Sequence, residues 1–199
     1  MSDPPRLILA SKSASRRAML DAAGVAYEAV PVDFDERGVE ARLAGASPAE
    51  VAEALSVAKA AAVAAQHPGA LVLGSDSLVV AGGRRFDKPR SVEEAAEHLR
   101  FFSGQVMELH SAAALVRDGG CEWSHASVAR LHVRALSDDF IVHYLSHEWP
   151  AISHTVGAFR IEGPGVQLFE SIEGDQFTVL GMPLLPLLGA LREAGVLIA

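Results

Sequence analysis

A chain of 199 residues, half of them hydrophobic and 21% charged, can bury one sizeable core and fits a single domain over 1–199 better than two. Its net charge of −8 argues against a broad nucleic-acid surface, which needs clustered Lys and Arg; a single nucleotide could still be met by a metal and a few cations. Mean hydropathy is +0.22, yet no uncharged apolar run reaches the roughly 18 residues of a membrane span, so no membrane association is expected. Cys121 is the lone cysteine and has no internal disulfide partner, which suits a reducing cytosol. The opening Met-Ser-Asp-Pro-Pro-Arg lacks the basic start and long apolar stretch of a leader, so a cytoplasmic protein is expected.

Residues 6–10 (RLILA) predict a short apolar strand, followed by a helix from about Ser13 to Ala23 that Gly24 closes. Residues 27–32 (YEAVPV) alternate as a strand, and 33–46 reads as a polar loop. Ser47-Pro48-Ala49-Glu50 carries a capping box with proline at the first helical position, opening an alanine-rich helix to about Ala65. Residues 70–80 (ALVLGSDSLVV) predict a buried strand interrupted by a polar triplet. After the Gly82-Gly83 turn, Ser91-Val92-Glu93-Glu94 opens another helix, ending near Ser103-Gly104. Two β-rich segments, 105–116 and 121–133, are joined by Asp118-Gly119-Gly120, and Ser137 caps a helix to about Ser146. Residues 157–172 suggest two strands around Gly163-Pro164-Gly165, and 183–194 a terminal helix stopped by Gly195. Strands alternating with helices, plus hairpins, indicate an α/β or α+β domain with a mixed, twisted sheet and flanking helices.

Three segments hold candidate chemistry. In Ser11-Lys12-Ser13-Ala14-Ser15-Arg16-Arg17, hydroxyls and cations crowd a predicted helix N-terminus, where free amides and the dipole favour an anion such as phosphate. An ordinary serine cap with solvated basic residues explains the same pattern about equally well. Asp76 in Gly74-Ser75-Asp76-Ser77 follows a buried strand, the edge of an open α/β sheet where ligands bind, and could hold a metal or take a proton from water. Alone, it reads better as a turn aspartate. Asp35-Glu36 and Asp87-Lys88-Pro89 would complete a carboxylate, metal and lysine site if they converged on it. Glu162, before Gly163-Pro164-Gly165, could accept hydrogen bonds from a base edge, although a hairpin turn with acidic flanks is the plainer reading. Lys59, inside the alanine-rich helix, would ordinarily be solvated. His143 and His147, four apart, read as surface histidines rather than a metal pair, since no H-E-x-x-H and no third ligand accompany them. No P-loop or dinucleotide fingerprint is present.

Taken in order, LILASKSASRRAML (7–20), VDFDE (32–36), AKAAAV (58–63), LGSDSLVV (73–80) with DKP (87–89), SGQ (103–105) and GAFRIEGPGVQLFESIEGD with LGMPL resemble the Maf family over nearly the whole chain. The resemblance implies a Maf/ITPase-like fold with a deep nucleotide cleft. It also implies hydrolysis of a nucleoside triphosphate to the monophosphate and pyrophosphate, assisted by Mg²⁺ or Mn²⁺. Carried over, Asp76 becomes the proton acceptor, Ser11, Ser13, Arg16 and Lys88 bind phosphates with Lys59 in support, and Glu36 joins Asp76 near the metal. Substrate sorting falls to Ser15, Ser77 and Glu162. Family members for dTTP and UTP usually carry Arg, Thr and Gln there, and those for 7-methyl-GTP carry Trp, Gln and Glu. Only Glu162 matches either set, which leans towards a modified purine nucleotide. Lys12 and Asp87 stand where glycine is common in the family. A homodimer is expected by analogy with the family.

Two other classes compete. Gly74-Ser75-Asp76-Ser77-Leu78 echoes the G-D-S-L block of serine esterases, but that block belongs near the N-terminus, and no histidine occurs in the last 40 residues to complete a triad. The family's association with septum formation raises a regulator of cell division that binds nucleotide without turning it over.

Overall fold

The computed structural model describes residues 5–198; part of the opening stretch read for a leader, Met1–Pro4, lies outside them. The elements run β1 (Leu7–Leu9), α1 (Ala14–Ala22), β2 (Glu28–Ala29), α2 (Glu36–Glu40), α3 (Pro48–Ala64), β3 (Leu71–Ala81) and β4 (Arg84–Phe86). Then come α4 (Val92–Phe102), β5 (Val106–Arg117), β6 (Gly120–Val133), α5 (Asp138–Glu148), β7 (Phe169–Glu173), α6 (Gln176–Val179) and α7 (Leu184–Glu193). The strands follow the order β2-β1-β3-β5-β6-β7, with β4 on β3. Pairing is parallel for β1 with β2 and β3, and antiparallel for β3 with β4 and β6 with β7. This is the mixed α/β sheet with flanking helices that the alternating pattern predicts.

The chain divides into two compact units. The first takes the described residues to Ser77, Ser111–Ser127 and those from Gln176; the second takes Leu78–His110 and Val128–Asp175. Strands β3, β5 and β6 each pass from one into the other, so neither unit is a single stretch of sequence.

In the first unit both faces of the sheet are covered, which is why β1 and β3 read as continuous apolar runs rather than alternating ones. Leu7, Leu9, Leu71 and Leu73 point to one face and pack with Met19 and Leu20 of α1 and Leu184, Leu187 and Leu191 of α7. Ile8, Ala10 and Val72 point to the other and pack with Ala60, Val63 and Ala64 of α3. Helix α3 has small side chains on that face because it lies very close to the sheet. A Cβ on Gly74 would sit 2.0 Å from the Ser56 carbonyl oxygen and 2.8 Å from the Ala60 nitrogen. Only glycine permits that approach. The capping box at the head of α3 is formed as predicted, with Ser47 and Glu50 each accepting from the other's backbone N–H.

In the second unit, Val79–Ala81 of β3 pair with Arg84–Phe86. Phe86 packs edge-on against Phe102, with ring centroids 4.6 Å apart, and against the ring of His98 at 5.0 Å. Burial of that imidazole lowers its pKa from the ordinary histidine value. Arg160 donates two hydrogen bonds to the buried carboxylate of Glu148, each 3.0 Å long. Charge-assisted pairing of this kind is what lets a carboxylate remain in an interior.

Four predicted features differ from the structure. Residues 33–46 contain α2 and a 3-10 turn at Ala41–Leu43, because Asp35 caps α2 by accepting from the Gly38 amide. The strand expected over 27–32 shrinks to Glu28–Ala29. The two strands expected over 157–172 are 3-10 turns at Val156–Ala158 and Pro164–Leu168 followed by β7 alone. Gly165 lies directly over the Arg160 backbone, where a Cβ would be 2.5 Å from the carbonyl oxygen, so the chain coils on itself instead of extending. The polar triplet Ser75-Asp76-Ser77 does not interrupt β3, which is continuous over 11 residues.

Candidate active site

Strand β1 pairs with β3 only as far as Leu9 opposite Leu73, and the Ala10 amide makes one further bond to the Leu73 carbonyl. Beyond that point β1 turns through Ser11–Ser13 into α1, while β3 continues through Asp76. Asp76 therefore lies just past the carboxyl end of β1, within β3, rather than at a strand terminus as sequence suggested. This is the edge of an open α/β sheet at which ligands bind.

Helix α3, drawn close by Gly74, brings Lys59 to Asp76. The ammonium forms an ion pair with the Asp76 carboxylate and a second, at 2.9 Å, with Glu36 Oε1. Lys59 and Asp76 keep only 12% and 10% of their side-chain surface in solvent, so this pair is shielded, whereas half of Glu36 is exposed. Lys59 is thus not the solvated helix residue that its surroundings in sequence suggested. The Asp35-Glu36 pair divides its work: Asp35 caps α2, and Glu36 in its first turn reaches Lys59.

A second set of contacts surrounds Arg16. Ser13 caps α1, its hydroxyl accepting from the Arg16 amide at 3.4 Å, and Ser11 Oγ accepts from the Ser13 amide at 3.1 Å. Arg16 Nε donates to the Gly181 carbonyl at 2.9 Å, Nη2 to Ser77 Oγ at 3.1 Å and Nη1 to Ser11 Oγ at 3.5 Å. Desolvation lowers the guanidinium pKa from its usual value, and the charges of Asp76 and Glu36 oppose that shift. Those opposing charges link the arginine electrostatically to the acid–ammonium group. Ser15 Oγ donates to the Leu180 carbonyl at 2.8 Å, anchoring the same turn that receives Arg16.

Of the residues selected from sequence, Ser11, Ser13, Ser15, Arg16, Glu36, Lys59, Asp76 and Ser77 all belong to the first unit, where Glu36, Lys59 and Asp76 form one contact group, Ser11, Ser13, Arg16 and Ser77 another, and Ser15 bonds the Leu180 carbonyl. Lys88 and Glu162 belong to the second unit, where both are exposed. His143 and His147 lie on the exposed side of α5, with His147 Nδ1 2.8 Å from the His143 carbonyl oxygen. Sequence reading missed Ser111 and the Thr178–Gly181 turn. Ser111 lies within a buried apolar strand and bonds both Ser77 and the Thr178 carbonyl. Gly181 has φ +101°, and a side chain there would project beside Ser77 and Arg16. The glycine in LGMPL was the one available signal.

Residues 6–194 match the family model described as Maf-like protein. The chain belongs to that family. It is 51% identical over 195 residues to a protein of Rhizobium etli named 7-methyl-GTP pyrophosphatase, covering 97% of this chain and 98% of that one. A relative named nucleoside triphosphate pyrophosphatase, from Rhodopseudomonas palustris, is 45% identical, with 98% and 96% of the two chains covered. Among solved structures, a HAM1 protein from Coxiella burnetii matches 65% of this chain and 73% of its own at 16% identity and a TM-score of 0.41, too slight a likeness to inform the chemistry.

Proposed function

We propose that this Maf-like protein hydrolyses a nucleoside triphosphate to the monophosphate and pyrophosphate, with 7-methyl-GTP as its preferred substrate. The observation that carries the reaction type is the shielded Asp76–Lys59 pair, joined by Glu36 and set beside a guanidinium on a bed of serine hydroxyls. Such a site offers a carboxylate to deprotonate water and fixed cations to receive phosphate oxygens. The names of the Rhizobium etli and Rhodopseudomonas palustris relatives support the substrate class, and Glu162 supports the lean to a modified purine.

Asp76 accepts the proton as the water oxygen bonds to phosphorus. The bond between the α- and β-phosphates breaks, and its electron pair leaves with pyrophosphate. Arg16 and Lys59 hold phosphate oxygens. Ser11 and Ser13 shape the turn that faces them.

The donor set fits a divalent ion. Two carboxylates, Glu36 and Asp76, converge on one ammonium and so are placed to share a single cation. Among the described residues no group of three or more His, Cys, Asp or Glu gathers to hold a metal. Mg²⁺ and Mn²⁺ bind through as few as one or two carboxylates and complete their shell with water and substrate oxygens. When bound, the ion neutralises phosphate charge. Chelation is expected to abolish turnover, and added Mg²⁺ or Mn²⁺ to restore it.

No described helix is long and apolar enough to cross a membrane. A cytoplasmic homodimer, with no membrane or nucleic-acid polymer as partner, completes the reading.

Asp76→Asn is expected to lower kcat by roughly 10²–10⁴-fold, the usual span for a general base, with an unchanged circular dichroism spectrum. Turnover equal to wild type would remove Asp76 from the reaction. A panel of 7-methyl-GTP, dTTP, UTP and GTP scored by kcat/KM tests the base. Preference for dTTP or UTP would overturn the choice of a modified purine. Nucleotide binding with no turnover of any of them would leave a regulator.

A further inference from the structure

Ser111 has no exposed surface and lies on β5, away from every motif read in the sequence. Its Oγ is 3.0 Å from Ser77 Oγ and 2.9 Å from the Thr178 carbonyl oxygen. Proton counting orders this network. A guanidinium can only donate, so Ser77 accepts from Arg16 Nη2 and its single proton points elsewhere. A carbonyl can only accept, so Ser111 gives its proton to Thr178. Ser77 then has two acceptors within reach, Ser111 Oγ and the Gly181 carbonyl, both at 3.0 Å.

The Gly181 carbonyl already receives Arg16 Nε at 2.9 Å. Ser75 also faces it at 3.2 Å but has a shorter bond, 2.7 Å, to the Ala112 carbonyl. A carbonyl has two lone pairs, so both acceptors are open to Ser77; donation to Ser111 gives every group a partner and is the arrangement that joins Ser111 to Arg16. It produces a one-way chain from Arg16 through Ser77 and Ser111 to the Thr178 carbonyl. A chain that starts on a cation and runs in one direction polarises each link.

We propose that Ser111 is a positioning residue: through Ser77 it holds the Arg16 guanidinium in the orientation that receives the substrate's phosphates. This rests on the reading of Arg16 as a phosphate ligand. Arg16 has several rotatable bonds to arrest, and the short hydroxyls of Ser11 and Ser77 arrest them before substrate arrives.

The test is a double-mutant cycle on the full chain with Ser77→Ala, Ser111→Ala and the pair, measuring kcat and KM for 7-methyl-GTP and, by calorimetry, affinity for pyrophosphate with Mg²⁺. Ser111→Ala is expected to raise KM and the pyrophosphate dissociation constant about 5–10-fold, the scale of one hydrogen bond to a charged group, with kcat within about 2-fold. The double variant is expected to bind no more weakly than Ser77→Ala alone, because the two act in series. Ser56→Ala removes an equally buried hydroxyl bonded to the Ala52 carbonyl at 2.7 Å, and is expected to lower Tm without moving KM. Additive losses, or a Ser111→Ala variant that changes Tm but neither binding constant, would overturn the proposal alone. A wild-type chain that neither turns over a nucleotide nor binds pyrophosphate would overturn the phosphate role of Arg16, and this proposal with it.

Discussion

Lys59 and Arg16 are both cations in the first unit, yet they are held in opposite ways. Lys59 is gripped by charge: two carboxylates, one shielded and one half-exposed, share its ammonium. Arg16 is gripped by neutral groups: a backbone carbonyl and two serine hydroxyls take its three donor nitrogens. A phosphate approaching Lys59 competes with carboxylates for the same donors. A phosphate approaching Arg16 meets a guanidinium whose charge is offset only at longer range by Asp76 and Glu36. Binding strength should then depend mainly on Arg16, and the chemical step mainly on the Lys59–Asp76 pair.

That contrast can be broken first at Lys59. Lys59→Met is expected to lower kcat by about 10²-fold, roughly 2.7 kcal/mol of barrier, because it strips the partner from a shielded Asp76; KM should move much less. Arg16→Met is expected to do the reverse, raising KM by about 30-fold, or roughly 2 kcal/mol, with a smaller loss in kcat. Steady-state kinetics of the two variants side by side decides the matter, and equal effects on both constants in both variants would erase the distinction.

A smaller effect sharpens the same point through the backbone. Gly74→Ala forces a Cβ to within 2.0 Å of the Ser56 carbonyl, so α3 must shift and carry Lys59 with it. Overpacking of this kind costs about 1–3 kcal/mol, expected as a Tm lower by roughly 3–10 °C, together with a fall in kcat. The smallest is Ser47→Ala, which removes the capping box at the far end of the same helix. It should cost about 1 kcal/mol, lowering Tm by roughly 2–4 °C and leaving kcat and KM alone.

Much of this arrangement was legible in the sequence. Ser47-Pro48-Ala49-Glu50 signals a helix start by local chemistry, and the structure makes both of its hydrogen bonds. Asp76 stood out because a carboxylate after Leu71–Leu73 breaks an apolar run. Lys59 was harder. In a helix of small apolar residues, nothing local tells a solvated lysine from one that a neighbouring strand has drawn in, and the deciding contact is 17 positions away. Ser111 was invisible, because a serine among alanines in a buried strand carries no periodic signal. Residues 157–172 misled for a related reason. Their apolar and glycine spacing suits strands, but Gly165 stacked on Arg160 and the Glu148–Arg160 pair impose turns that only tertiary contacts reveal.

The most direct measurement follows the products. Purified chain incubated with 7-methyl-GTP and Mg²⁺ and monitored by ³¹P NMR should yield the monophosphate and pyrophosphate in equal amounts, with no diphosphate intermediate. Release of orthophosphate with a nucleoside diphosphate, or an unchanged triphosphate spectrum with every divalent metal and nucleotide offered, would contradict the assignment of this site to cleavage between the α- and β-phosphates.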